Sequence, residues 1–301
     1  MFDSVFIMGP TACGKTSIAV QISCLINGEI ISADSRQIFI GMNIGTGKDL
    51  EDYHHRGIAY HMIDIVNPDE KFSLHEYLSG FEKSFNRIIS NNKLPVICGG
   101  TGLYIEALLK GFSLSDVPED NDFRNKMNLL PKEKLIQKLA DYPEIFSKTD
   151  LSSKKRIIRS LEIAENGGKL GSTQKTFVKN PLNFLVYYPR EEIKIRIENR
   201  LKNRIENGMI EEGESLLRNG LSLDKMKSFG MEYKRMAQYL SGEIDYPAFY
   251  DSLLTDIFRL AKRQMTWFRG MQRRGISFIE IDLSTISQAE AVNLITDKIS
   301  K

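Results

Sequence analysis

"GPTACGKT", residues 9–16, matches the phosphate-loop pattern G-x-x-x-x-G-K-[ST] at every fixed position. The apolar run "SVFIMG" (4–9) precedes it, and a helical pattern, "TSIAVQISCLI", follows it. Gly9 and Gly14 allow the backbone to turn tightly, so that several N–H groups face one anion at the start of the helix. Lys15 adds a positive charge, and the Thr16 hydroxyl is of the kind that binds Mg²⁺. The stretch therefore predicts a phosphate site between a strand and a helix.

Four further apolar runs are strand candidates. They are "EIISA" (29–33), "HMIDIV" (61–66), "LPVICGG" (94–100) and "NFLVYY" (183–188). Helical patterns separate most of them, and continuous apolar strands that alternate with helices indicate a parallel sheet covered on both faces. The predicted fold is α/β, a P-loop NTPase-like parallel sheet flanked by helices, with its site in the loops at the carboxyl ends of the strands.

The 301-residue chain is long enough for a main domain and a smaller one. Between about residues 111 and 181 it becomes polar, Lys-rich and helical, and from residue 190 onward the pattern is again helical. We expect residues 1–112 and 182–301 to form the catalytic body and residues 113–181 to form a helical insertion domain.

Net charge, cysteine content and hydrophobicity limit the kinds of partner, bound group and location that we expect. The net charge of +2 does not by itself predict a polyanion partner, although a local basic patch can still bind one. Three cysteines without a C-x-x-C spacing argue against disulfides and a zinc site. Neither a signal peptide nor a membrane-spanning run is evident. We expect a cytoplasmic monomer without a membrane partner or an obligate protein partner.

Cys13 lies inside the phosphate loop and has two interpretations. A small side chain that fills space is favoured. A position at the start of a helix would also lower the pKa of a thiol, so sensitivity to alkylation is an alternative hypothesis.

Polar residues follow the predicted strands, and we weigh three of them as site residues. Asp34 closes the second strand, where it would serve as a catalytic acid or base, or cap a helix. Asp64 would position a metal ion or cap the end of a strand, and we leave both open. Thr101, in "CGGTGLY", would contact a ligand or cap the next helix.

The segment "FRLAKRQMTWFRGMQRR" (258–274) contains six basic residues and no acid. On a helix these six fall within roughly 140° of arc, and apolar residues occupy the other side. A solvated helix normally mixes charges of both signs, so this face predicts binding to a polyanion. Arg156 and Arg159, one helical turn apart, offer further cations.

Several motifs together resemble one family. "GPTACGKT", "SADSRQIFIGMNIGTGKD", "YHMIDIVNPDEKFSLHEY", "PVICGGTGLYIEALLKG", "RIIRSLEI", "FGMEY" and "AKRQMTWFRG" follow one another as in the tRNA dimethylallyltransferases, also called tRNA isopentenyltransferases. The resemblance runs from about Phe6 to Arg274. It implies that the loop binds the diphosphate of dimethylallyl diphosphate and that the acceptor is the exocyclic amine of the adenosine 3′ of the anticodon in tRNA.

The resemblance also implies roles for individual residues. Asp34 would be the base, Thr101 would hold the adenosine or a phosphate oxygen, and Lys15 would stabilise the leaving group with Mg²⁺ bound by Thr16. The diphosphate-binding set is Gly9, Pro10, Thr11, Ala12, Cys13, Gly14, Lys15 and Thr16. The tRNA-binding set is Asp34, Ser35, Arg36, Gln37, Thr101, Arg124, Arg156, Arg159, Lys262, Arg263, Gln264, Trp267 and Arg269, with the anticodon loop as the expected partner.

Departures from the family pattern include two pairs of positions. Ile257 and Phe258 stand where a Thr-Arg pair is usual, which removes an arginine that could serve the diphosphate. Ser152 and Ser153 replace Asn-Asp, which leaves the arginine pair in "RIIRSLEI" without its expected acid.

Two other functions share the phosphate loop. An ATP-dependent kinase of a nucleoside or small alcohol would use Asp64, but it leaves the cationic helix unexplained. A non-catalytic RNA-binding NTP switch would make Asp34 dispensable.

Overall fold

The structure is a computed structural model that describes residues 2–111, 115, 117–168 and 176–300. The chain divides into two compact units, one formed by Met1–Leu109 with Phe177–Lys301 and the other by Lys110–Thr176. We call the first unit the body and the second the insertion. The first boundary expected from the sequence, between residues 112 and 113, lies outside the described residues.

The body contains all the strands found in the described residues, and they form one parallel sheet. The strands are β1 (Ser4–Met8), β2 (Gly28–Ser32), β3 (Tyr60–His61), β4 (Leu94–Gly99), β5 (Pro181–Tyr187) and β6 (Ile279–Asp282), in the order β3-β2-β4-β1-β5-β6. Every neighbouring pair is parallel; Val5 is opposite Val96 on one side and Leu182 on the other. All five β1 residues are buried, as expected for a central strand with both faces covered.

Helices flank this sheet. The helices of the body are α1 (Lys15–Leu25), α2 (Leu50–His55), α3 (Leu74–Ser90), α4 (Gly102–Lys110), α9 (Arg190–Glu206), α10 (Met209–Arg218), α11 (Leu223–Lys227), α12 (Met231–Leu240), α13 (Tyr246–Arg273) and α14 (Gln288–Ile299). The last residue of α4 belongs to the insertion by its contacts. In the described ranges, none of the helices has the length and apolar character needed to cross a membrane.

Two predictions about strands were wrong. The run 61–66 contributes only His61 to β3, because Met62 and Asp64 have positive φ angles of 64° and 52° and the chain leaves the sheet there. Strand β6 falls in a region that the sequence predicted to be helical throughout. Its four residues lie between helices α13 and α14, and pairing with β5 stabilises them as a strand.

The insertion is helical in its described residues. It contains α5 (Asn121–Asn128), α6 (Lys132–Ala140), α7 (Pro143–Phe146) and α8 (Lys154–Glu165). A separate small core, with Leu135, Leu139, Ile157 and Leu161 fully buried, holds the helices together. This core lets the insertion pack around its own apolar residues.

Candidate active site

A cavity of about 680 Å³ lies where the loops after β1, β2 and β4 meet. Helices α9 and α13 also contribute side chains to it. The carboxyl ends of parallel strands lie at one edge of a sheet, which explains why three loops distant in sequence converge there. Six basic and four acidic side chains line the cavity, so it favours an anionic ligand.

The phosphate loop has the geometry of an anion site. Gly14 adopts the left-handed conformation (φ 83°) immediately before α1, and no side chain caps that helix. The first N–H groups of a helix have no partner within the helix and are therefore available to an anion. Gly9 is needed for packing, because a Cβ there would lie 2.3 Å from the carbonyl oxygen of Val186.

Part of the predicted diphosphate-binding set lines the cavity. Its members there are Thr11, Ala12, Gly14, Lys15 and Thr16, whereas Gly9, Pro10 and Cys13 are not among the lining residues. The Lys15 ammonium group donates to the Pro10 carbonyl (3.2 Å), so Pro10 supports the loop from behind. Cys13 is 0% exposed, which agrees with a space-filling role and contradicts the hypothesis of a thiol open to alkylation.

Asp34 and Thr101 are brought together by close packing of β2 against β4. A Cβ on Gly99 would lie 2.2 Å from the Ala33 carbonyl oxygen, so only glycine permits this approach. The Thr101 hydroxyl accepts from the backbone N–H of Ser35 (3.0 Å), and the Asp34 carboxylate accepts from the N–H of Arg36 (2.9 Å). Both side chains line the cavity, and the Thr101 hydroxyl also makes a long hydrogen bond to the Ser35 hydroxyl (3.4 Å).

Gln264 of α13 joins two of the loops. Its amide oxygen accepts from the Thr11 N–H (2.8 Å), and its amide nitrogen donates to the Gly100 carbonyl (3.0 Å). Trp267, one turn further, packs on Gly102 and donates from its indole to Glu106 (2.9 Å). These two members of the predicted tRNA-binding set therefore also hold the site together.

Other members of that set lie on the same edge in different environments. Ser35, Arg36 and Arg263 line the cavity. Gln37 lines it too, but its side chain is 9% exposed and bonds to Ser32 and to the Gly47 carbonyl. An adjoining groove of about 770 Å³ includes Lys262. Arg269 is exposed and lines neither space.

The cationic face of α13 is less uniform than its sequence indicates. Arg274 lies one residue beyond the helix, and the Glu106 carboxylate, supplied by α4, pairs with it (2.6 Å). Asp256, one turn earlier in α13, approaches Arg259 (3.5 Å). Tertiary structure thus brings Glu106 onto this face, and the preceding turn of the same helix brings Asp256, although the segment 258–274 contains no acid.

Three arginines of α9 line the cavity, and sequence reasoning missed them. They are Arg196, Arg200 and Arg204. Arg196 donates to the Ala12 carbonyl (3.0 Å), and Arg200 pairs with Asp49 (2.5 Å) and reaches the Thr11 hydroxyl (3.5 Å). Their spacing, i, i+4 and i+8, places them on one helix face. This spacing is the pattern by which the three arginines could have been found in the sequence.

Burial affects the two charged groups deepest in this part of the cavity. It lowers the pKa of Arg204 to about 10, and the neighbouring Arg200 acts in the same direction. The guanidinium therefore stays cationic at neutral pH. Burial also raises the pKa of Glu232 above its usual value, with Arg204 opposing that rise.

Asp64 lies outside the cavity lining. Its carboxylate pairs with Lys48, which is 0% exposed and also donates to the Phe39 carbonyl (2.7 Å) and the Asn43 side chain (2.8 Å). Because this buried ammonium group needs a counter-charge, Asp64 stabilises the loop that follows β2. This pairing supports neither the metal-positioning nor the strand-capping interpretation.

The predicted tRNA-binding arginines of the insertion make ion pairs. Glu162 is 0% exposed and accepts from Arg124 (2.7 and 2.9 Å) and from Arg159. Arg156, which is more exposed, pairs with Asp150. Arg156 and Arg159 were expected to lack an orienting acid, and this was wrong, because acids elsewhere in the insertion take that place.

A sequence model of the family described as IPP transferase matches residues 37–271. The chain is similar to a protein named tRNA dimethylallyltransferase 2 of Bacteroides fragilis, with 42% identity over 303 residues that cover 100% of this chain and 99% of that protein. It is 43% identical to tRNA dimethylallyltransferase 1 of Porphyromonas gingivalis over 295 residues, or 96% and 97% of the two chains.

Two solved structures are also similar to this chain. The crystal structure of full-length tRNA isopentenylpyrophosphate transferase from Bacillus halodurans has a TM-score of 0.72 and 30% identity, covering 100% of this chain and 96% of that one. A structure described as a eukaryotic dimethylallyltransferase acting on tRNA has a TM-score of 0.81 at 21% identity, covering 100% and 80%. This second likeness concerns the fold alone.

Proposed function

The chain belongs to the IPP transferase family, and from this premise we propose that it transfers a dimethylallyl group from dimethylallyl diphosphate to tRNA. The acceptor is the exocyclic amine of the adenosine 3′ of the anticodon. One observation carries the proposal: the phosphate loop, Asp34 and Thr101 line a single cavity beside a cationic groove. We further propose that the protein acts as a cytoplasmic monomer.

The phosphate loop binds the diphosphate in this mechanism. Breaking the bond between the allylic carbon and its oxygen leaves the electron pair on the diphosphate, and its negative charge grows in the transition state. In this proposal, loop N–H groups, Lys15 and a Mg²⁺ ion bound by Thr16 would stabilise that charge. Arg196 and Arg200, which contact the loop, add two further cations.

Asp34 is the base. The adenine amine is a poor nucleophile because its lone pair is delocalised into the ring, so removal of its proton assists attack. A new carbon–nitrogen bond forms as the carbon–oxygen bond breaks, and the proton moves from the amine to the Asp34 carboxylate. Thr101 orients the acceptor through its hydroxyl, which the N–H of Ser35 holds in place.

The site is suited to a Mg²⁺ ion that binds together with the diphosphate. Within the described chain, no group of three His, Cys, Asp or Glu side chains is arranged to hold a metal, and Mg²⁺ usually takes one or two protein ligands together with substrate phosphates. Thr16 would be its protein ligand. When bound, the ion would neutralise charge on the leaving group.

The tRNA lies along the groove of α13 in this proposal. The target adenine must leave its stack to reach the cavity, because its amine is inaccessible inside a stacked loop. Arg36 and Arg263 at the cavity and Lys262 in the groove would contact phosphates. The kinase alternative has no support in the comparisons, and the acid it would use, Asp64, is paired with Lys48.

The test is transfer of label from radiolabelled dimethylallyl diphosphate to unmodified tRNA, with Mg²⁺ and without ATP. The parent protein should label tRNA, and Asp34→Asn should lower the rate by about 10²- to 10⁴-fold without loss of tRNA binding. Asp224→Asn, an exposed aspartate of α11, is the matched control. Unchanged turnover of Asp34→Asn would refute the base, and absence of label with the parent protein would refute the reaction.

A further inference from the structure

Arg204 lines the cavity at a point where a glycine leaves room for its guanidinium. It lies in the last turn of α9, and its guanidinium packs on Gly47. A Cβ on Gly47 would lie 1.5 Å from one terminal nitrogen of Arg204 and 2.7 Å from one of Arg200. Any side chain at position 47 would therefore displace both arginines from the cavity wall.

The loop that carries Gly47 is firmly held. The Glu212 carboxylate accepts from three consecutive backbone N–H groups, those of residues 43, 44 and 45, at 2.7 to 3.0 Å. It also accepts from the Tyr233 hydroxyl (2.7 Å), and the Tyr233 ring packs on Gly45. The surface behind the Arg204 guanidinium is thus built from fixed backbone.

Arg204 differs from the two other arginines on its helix face. Arg196 donates to a backbone carbonyl, and Arg200 pairs with Asp49. Among the described residues, no hydrogen bond or ion pair engages the Arg204 guanidinium. Its nearest charges include Arg200, which repels it, and Asp49 and Glu232, which attract it without forming an ion pair.

An unpaired guanidinium in a half-buried position is costly unless water or a ligand completes its hydrogen bonds. The planar fork of arginine matches the oxygens of a phosphate group. Residues four apart on a helix are separated by about 6 Å along its axis, so Arg196, Arg200 and Arg204 form a series that rises from the phosphate loop. A diphosphate, with two linked phosphate groups, suits such a series.

We propose that Arg204 is a further binding residue for the diphosphate of the allylic substrate, with Glu232 as the counter-charge that competes with the diphosphate for it. This rests on the proposed function. Glu232 lines the same cavity, and its carboxylate is influenced by both Arg204 and Asp34. When it is ionised, Glu232 opposes a bound diphosphate and favours release of the product.

Calorimetric titration with inorganic diphosphate in the presence of Mg²⁺ tests the proposal on the 301-residue protein. Arg204→Met should weaken binding by about 10- to 100-fold, the effect of losing charge-assisted hydrogen bonds. Lys202→Met is the matched control: it removes the same charge from an exposed residue on the same helix, one that pairs with Glu198. The control should remain within about twofold of the parent protein.

A second variant acts in the opposite direction. Glu232→Gln removes the competing charge, so it should bind inorganic diphosphate a few times more tightly than the parent protein. This measurement decides the question even if Arg204→Met fails to fold, which thermal unfolding would reveal. Unchanged or weaker binding by Glu232→Gln in that case would overturn the proposal.

Parallel titrations with unmodified tRNA identify the phosphate that is bound. If Arg204→Met binds diphosphate normally, or loses affinity for tRNA only, Arg204 serves the nucleic acid and the proposal is wrong. Diphosphate binding does not depend on which acceptor is used. Failure of the parent protein to label tRNA would therefore refute the proposed function while the diphosphate titration still decides the role of Arg204.

Discussion

Arginines of the insertion and arginines of α9 differ in what the protein itself supplies to them. In the insertion, Arg124 and Arg159 both bind the fully buried Glu162. On α9, the protein gives Arg196 a carbonyl and Arg200 a carboxylate, and no described residue gives Arg204 either of these. An arginine whose hydrogen bonds are completed inside the fold stabilises that fold, whereas one left incomplete in a cavity is available to a ligand.

Removal of the shared acid of the insertion should have the largest effect on stability. Glu162→Ala removes the acid that Arg124 and Arg159 share, and Arg124 then keeps only the more exposed Glu119 as an ion-pair partner. Breaking a buried ion pair in this way costs about 3 kcal/mol, the lower end of the usual range, because these other contacts remain. Denaturant unfolding should show this loss, whereas Glu165→Ala, on the exposed side of the same helix, should change stability by less than about 0.5 kcal/mol. If the two variants were equally stable, the ion pairs of Glu162 with Arg124 and Arg159 would not stabilise the fold, and the contrast with α9 would fail.

The ion pairs of Glu162 also predict that the stability of the protein depends on pH. Burial alone would raise the pKa of Glu162, but hydrogen bonds from Arg124 and Arg159 outweigh it and lower the pKa below 4.5. Because the folded-state pKa is the lower one, ionised Glu162 stabilises the fold above pH 4.5, and this contribution is lost as the pH falls further. The difference in stability between the parent protein and Glu162→Gln should shrink below that pH, and a constant difference would contradict this prediction.

The smallest expected effect concerns the salt dependence of tRNA binding. Arg263 is exposed at the cavity rim, so Arg263→Ala should reduce the slope of log affinity against log salt by about 0.7–0.9 for one lost phosphate contact. Arg274→Ala should leave the slope nearly unchanged, because Glu106 already neutralises that guanidinium. A slope that responds equally to both variants would mean that ion pairing within the protein does not decide which arginines meet tRNA.

Local sequence patterns identified many of the residues that line the candidate site. The phosphate loop was recognisable because its glycines and Lys15 must follow one another at fixed spacing, and Asp34 and Thr101 were found because each follows an apolar strand. Asp64 was misinterpreted for the same reason: it follows an apolar run, yet the chain turns away at Met62 and the carboxylate meets Lys48. Strand β6 was missed because four residues carry too little periodicity to be recognised.

The sequence by itself determined the family, the parallel sheet and the phosphate loop, since these depend on apolar runs and on spacings within a few residues. Only the tertiary structure decided which charged groups meet. Glu106 reaches Arg274 across 168 positions, and Asp49 reaches Arg200 across 151. Electrostatic attraction depends on distance in space, and the packing of helices on the sheet sets that distance. That packing also decides that Arg204 stands in the cavity with no partner among the described residues.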